Sequence, residues 1–203
     1  MSQSRAVRTR ITMVAAVAAA SALTLTACSG GEAGSASGDT KFVQGTGEIS
    51  TVPEGERQAA PDIEGESLDG EHLKLSDHRG KVVVLNVWGS WCSPCRAEAP
   101  NLAKVAKESD PKDVQFLGIN TRDPDKAQAK AFERNFGVEY PSYYDPDSKL
   151  ILKFPKNSLS PQAIPSTLVL DREGRIAARA LKELSEKELQ DALKPVVEED
   201  GGK

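Results

Sequence analysis

Asn86-Val87-Trp88-Gly89-Ser90-Trp91-Cys92-Ser93-Pro94-Cys95-Arg96-Ala97-Glu98 is the stretch that decides the fold. The apolar run Val82-Val83-Val84-Leu85 leads into it. This places Cys92 and Cys95 where a buried strand ends and a helix begins. Two thiols one helical turn apart close a bridge with little backbone movement, and a helix N-terminus stabilises a thiolate. Half a zinc site has the same spacing but needs two further Cys or His ligands. The chain offers only Cys28, His72 and His78 elsewhere. The reading is therefore a redox pair, Cys92–Cys95, with no metal site and no cofactor. There is no Gly-x-Gly-x-x-Gly fingerprint for a nucleotide.

Working outward toward the N-terminus, Arg5, Arg8 and Arg10 precede an apolar, Ala-rich stretch from Ile11 to Ala27. That is a signal-peptide pattern, short for a membrane span. It ends Leu25-Thr26-Ala27-Cys28, which resembles the bacterial lipobox and implies cleavage before Cys28 with lipid on its sulfur. Ordinary secretion is the plainer alternative. The division expected is 1–27 signal peptide, 28–59 lipidated flexible tether, 60–199 one domain and 200–203 a disordered tail. The tether is rich in Gly, Ser, Thr and Glu. A short strand within it, near Lys41–Val43 or Glu48–Val52, is allowed for. Cleavage takes three arginines and no acid, which moves the net charge from −4 to −7. That acidity argues against nucleic acid and anionic headgroups as partners. With Cys28 acylated, only Cys92 and Cys95 remain, and so short a loop gains little stability from closure.

Within the domain, Asp69-Gly70 marks a hairpin turn. Lys81–Val87 reads as a strand covered on both faces. A helix follows from Cys92 to Glu108, with Pro100 expected to kink it. Val114–Asn120 reads as a strand. Pro124–Phe136 reads as an amphipathic helix, buried through Ala127, Ala131, Phe132 and Phe136. Tyr140–Tyr144 is extended and a short helix spans Ser148–Phe154. Thr167–Asp171 and Arg175–Ala180 pair around Glu173-Gly174. Ser185, with Glu188 three residues on, opens a last helix with a capping box. The fold class is α/β: a mixed central sheet flanked by helices.

This order of parts resembles the thioredoxin fold, and within it the TlpA/ResA-like thiol–disulfide oxidoreductases found outside the cytoplasm. The resemblance rests on Ala60-Pro61-Asp62, on Leu85 through Cys95, on Glu98 and Pro100, and on Ile164-Pro165-Ser166-Thr167-Leu168-Val169-Leu170-Asp171. The N-terminal hairpin and the insert from Pro124 to Phe154 match that branch. The resemblance implies that Cys92, at the exposed edge of its helix, attacks a substrate disulfide and that Cys95 resolves the mixed disulfide. Glu98 is implied as a partly buried proton carrier near the thiols; an exposed glutamate in an ordinary ion pair is the alternative. Pro165 is implied to be cis, with Ile164 offering its backbone to an extended substrate. Pro94 restricts the approach of the two thiols, and Trp91 belongs to the substrate-facing surface. Trp88 reads as core. Asn86 stands where cytoplasmic thioredoxins carry an acid, so that acid's role does not transfer. A peroxidatic Pro-x-x-x-Thr-x-x-Cys pattern is absent, because Leu85 and Gly89 occupy its two marker positions.

The resemblance further implies a reductase at the outer face of the membrane, anchored through Cys28. Its substrates would be protein disulfides, apocytochrome c among them, and a membrane electron-transfer protein would recharge it. A disulfide-donating oxidase uses the same residues in reverse. A non-catalytic or copper-binding lipoprotein is the reading from another class.

Overall fold

The computed structural model describes residues 48–199, and the expected signal peptide, Cys28, Lys41–Val43 and residues 200–203 lie outside them. In chain order the elements are β1 (Ser50–Thr51), β2 (Glu64–Glu66), β3 (His72–Lys74), β4 (Val82–Trp88), α1 (Ser93–Glu108), β5 (Val114–Thr121), α2 (Lys126–Phe136), β6 (Ser142–Asp145), β7 (Ser166–Leu170), β8 (Ile176–Ala180) and α3 (Glu186–Glu198). The main sheet runs β1-β8-β7-β4-β5-β6. β4, β5 and β6 are parallel, whereas β7 pairs antiparallel with β4 and β8. β2 and β3 form a separate hairpin around Asp69-Gly70, with Gly70 at φ +93°. This is a thioredoxin-like α/β fold.

The central strand explains the layers. Every residue of β4 is buried, and its side chains alternate between two cores. Val83, Leu85 and Val87 join Leu117, Ile119, Tyr143, Leu168 and Leu170 on one face. Leu75 and Ile151 cover that face from two 3-10 segments, Leu75–His78 and Ile151–Lys153, together with Phe154 just after the second. Val82 and Val84 point the other way, to Leu102 of α1 and to Leu189 and Leu193 of α3. Trp88, on that same side, meets Ala99 of α1 and Phe132 of α2, stacking on Phe132 at 4.4 Å between centroids. All three helices thus address the even-numbered face of β4. Gly118 makes room there, since a Cβ on it would come within 2.7 Å of Trp88 Nε1 and against Ser142.

The helices begin where the sequence supplies acceptors. Ser185 and Glu188 form the expected reciprocal capping box. α1 continues through Pro100. α2 starts later than expected, because the Asp125 side chain accepts from Ala127 N and Gln128 N, and it ends at Gly137 in the left-handed region. That phase buries Ala129 and Phe132 and leaves Ala127 exposed and Ala131 only half-buried, which corrects the expected stripe. The short helix expected over Ser148–Phe154 shrinks to the 3-10 turn Ile151–Lys153. The buried Asp145 carboxylate accepts from Lys149 N at 2.7 Å and Leu150 N at 2.9 Å just before it.

Structure also begins before Ala60, inside the stretch expected as tether. β1 pairs with β8, and Val52 is buried. Arg57 donates to Asp171 at 3.2 Å and to both carboxylate oxygens of Glu199 at 2.6 Å.

Candidate active site

Cys92 is the N-cap of α1, and its Sγ accepts from Cys95 N at 3.2 Å. The two sulfurs are bonded, with the Cα atoms 5.3 Å apart. Pro94 sits in the first helical turn, where its missing N–H has no intrahelical acceptor to lose. Cys95 is buried, and so is Cys92, at 3% exposure. The exposed position expected for Cys92 is therefore corrected. Leu68 from the hairpin, Trp88, Ala99, and Ala129 and Phe132 from α2 enclose the pair. The cover comes from segments remote in sequence, so helix geometry alone does not reveal it.

Glu98 lies one turn beyond Cys95 and is only 2% exposed. Asn86 Nδ2 donates to it at 2.8 Å, and Leu184 N at 3.1 Å. Burial pushes its carboxyl up to about 7, and the two hydrogen bonds only partly offset this. The ordinary surface ion pair is thereby overturned. Asn86 also donates to Thr167 Oγ1 at 3.1 Å. Thr167 is in β7, two residues after Pro165, and the Ile164–Pro165 bond is cis as expected. Ile164 is half-buried and packs against the cluster that holds both cysteines. Asn86 thus joins the helix of the cysteines to the strand behind the cis-proline, from the strand position that holds an acid in cytoplasmic thioredoxins.

Trp91 is 47% exposed, and its indole N–H donates to Thr121 O at 3.3 Å. Trp88 is core, as expected. The loop carrying Trp91 is held from below by Asp123, a residue the sequence reading missed. Its fully buried carboxylate accepts from Ser90 N at 2.9 Å, from Ser90 Oγ at 2.5 Å and from Asn120 Nδ2 at 2.6 Å. Tyr144 donates its hydroxyl to Asp123 O at 3.2 Å. In sequence, Thr121-Arg122-Asp123-Pro124-Asp125 looks like a turn before a helix. Only the parallel pairing of β4 and β5, whose ends lie side by side, puts Asp123 under the loop. His72 is exposed on β3, and Tyr143 is core.

A disulfide at the N-cap of a helix that leaves a central strand, with a cis-proline on the neighbouring strand, is the redox site of a thioredoxin-like protein. Known proteins agree. A secreted thiol–disulfide isomerase from Corynebacterium glutamicum matches with a TM-score of 0.71 and 36% identity, over 80% of this chain and 100% of that one. A DsbF homologue from Corynebacterium diphtheriae matches with a TM-score of 0.70 and 35% identity, over 75% of this chain and 96% of that one. Thiol–disulfide oxidoreductase ResA of Geobacillus thermodenitrificans is 31% identical over 117 residues, 58% of this chain and 64% of that protein, just under two thirds of its length. The chain belongs to the AhpC/TSA family, whose model matches residues 57–179, and is a thioredoxin-like thiol–disulfide oxidoreductase.

Proposed function

We propose that the chain is a reductase of protein disulfides outside the cytoplasm, tethered to the membrane through a lipid on Cys28. The Cys92 thiolate attacks one sulfur of a substrate disulfide and expels the other as a thiol. Cys95 then attacks Cys92 Sγ, releases the second substrate thiol and forms the Cys92–Cys95 disulfide. Two electrons pass from the dithiol to the substrate. Glu98 exchanges the protons, since a carboxyl that titrates near 7 both gives and takes them at neutral pH. The cis-proline segment at Ile164–Pro165 holds the substrate strand, with Trp91 and Pro94 at its edge. A membrane protein carrying electrons outward reduces the pair again, and apocytochrome c is the substrate the ResA likeness suggests.

The observation that carries the direction is the burial of Cys92 among apolar side chains. A disulfide is uncharged and is buried there at little cost. A thiolate in the same place is poorly solvated, and the helix N-terminus offsets only part of this. Strong oxidants of this fold work because their reduced form is stabilised. Here the oxidised form is favoured, which makes the dithiol a reductant.

The test is the reduction potential of the Cys92–Cys95 pair in the full chain, equilibrated with thiol–disulfide buffers. The expected value is roughly −270 mV or lower. A value near roughly −120 mV would make the chain a disulfide donor and sink the reductase reading. For the tether, Cys28→Ala is expected to move the chain from the membrane fraction to the soluble one. A variant that stays with the membrane counts against lipidation.

A further inference from the structure

We propose that Arg96 and Arg122 select substrate proteins whose reactive disulfide is flanked by Asp or Glu side chains. The inference deepens the proposed function and rests on it.

Both guanidinium groups lie against the loop that delivers Cys92. Arg122 Cζ is 4.5 Å from the centroid of the exposed Trp91 ring. Arg96 Cζ is 5.2 Å from the Phe136 ring, and its Nη1 donates to Ser90 O at 3.4 Å. Cation–π contact at these distances holds a long side chain in place while leaving its outward N–H groups free. Both arginines are exposed, and among the described residues neither forms an ion pair. Arg57, Arg172 and Arg175 all do. Both cations thus flank the loop that carries Cys92, in a chain whose net charge is −4.

The backbone supports the same assignment. Arg122 has φ +61°, in the left-handed region that a long side chain rarely adopts. The next residue, Asp123, is tied down by Ser90 and Asn120, and that anchorage sustains the conformation. A local backbone outlier beside a reactive group, held by its surroundings, is a mark of a functional position. The nearest acids do not neutralise the rim. The carboxylates of Asp123 and Glu98 are buried and engaged in hydrogen bonds, and Asp125 caps α2. An extended segment entering along Ile164–Pro165 presents its cysteine to Cys92, whose loop carries this rim. There a carboxylate meets a planar, donor-rich partner on either arginine, and a lysine meets repulsion.

The experiment uses the reduced full chain in detergent and two disulfide peptides that differ only in Glu or Lys beside each cysteine. Uncharged 2-hydroxyethyl disulfide is the control, and the comparison variant is Arg96→Gln/Arg122→Gln. At low salt the parent is expected to show a Glu-to-Lys rate ratio about tenfold above that of the variant. The excess is expected to vanish near 1 M salt, where the screening length is about 3 Å. Both proteins should reduce 2-hydroxyethyl disulfide, which shows the variant folded and active, and the Glu-to-Lys ratio cancels any change in rate common to the two peptides. Equal peptide ratios in parent and variant overturn the proposal and leave the reductase reading standing. Failure of the parent to reduce even the uncharged disulfide removes both.

Discussion

Cys92→Ser is expected to lower disulfide exchange on the order of a thousandfold or more, to the rate of the uncatalysed reaction. A hydroxyl does not ionise at neutral pH and does not attack a disulfide. Cys95→Ser has a different outcome. Attack by Cys92 still occurs, but nothing resolves it, so a mixed disulfide between Cys92 and the substrate accumulates and is visible by mass under non-reducing conditions. Stability does not explain the contrast. Either substitution opens the same four-residue loop, and loop closure of that size is worth about 2 kcal/mol. The two variants should therefore unfold at similar denaturant concentrations while differing in chemistry. Exchange by Cys92→Ser at the parent rate would remove Cys92 from the mechanism.

Glu98→Gln is expected to change how stability depends on pH. The folded carboxyl titrates at about 7 against an ordinary value of 4.5, because burial disfavours its charge. Between those two values the folded state holds a proton that the unfolded state has lost, so stability falls as pH rises. The loss starts near pH 4.5 and is complete above pH 7, and for this one group it amounts to about 3 kcal/mol. Glutamine keeps the shape and removes the titration. Denaturation midpoints from pH 4.5 to 8 should slope less steeply in the variant, with its advantage greatest at the alkaline end. Glu133 is also pushed up to about 7 by burial, so the parent's whole slope exceeds the share of Glu98. The difference between the two proteins isolates the one group. The limb near pH 7 in the exchange rate should also go. Parallel slopes would mean that Glu98 is solvated in the folded protein.

Much of this molecule was legible from residue types whose physics is local. The β4 run is apolar without alternation, as a strand covered on both faces must be, and the Ser185–Glu188 box and the Asp69-Gly70 turn are set by neighbours in the chain. The cysteine pair was read from its place between a buried strand and a helix, whereas Glu98 and Pro165 were found by resemblance. What escaped depends on distant segments meeting. Cys92 is buried because Leu68 and Phe132 arrive from other elements. Asp123 supports the active-site loop because β5 runs parallel to β4 and ends beside it. The phase of α2 turned on which of two aspartates caps it. Asp125 does, and Asp123 is drawn inward instead.

The grip of Arg57 on Asp171 and Glu199 sets how the domain answers a mechanical load. Any pull on the N-terminal side reaches β1 first, and that strand holds its neighbour β8 over only two residues. It peels away at low force. The load then meets Arg57, whose side chain is bound at three carboxylate oxygens, one on the β7–β8 turn and two at the end of α3. The strap before Arg57 pays out like slack in a leash, and the buckle behind it keeps tension from the cysteines.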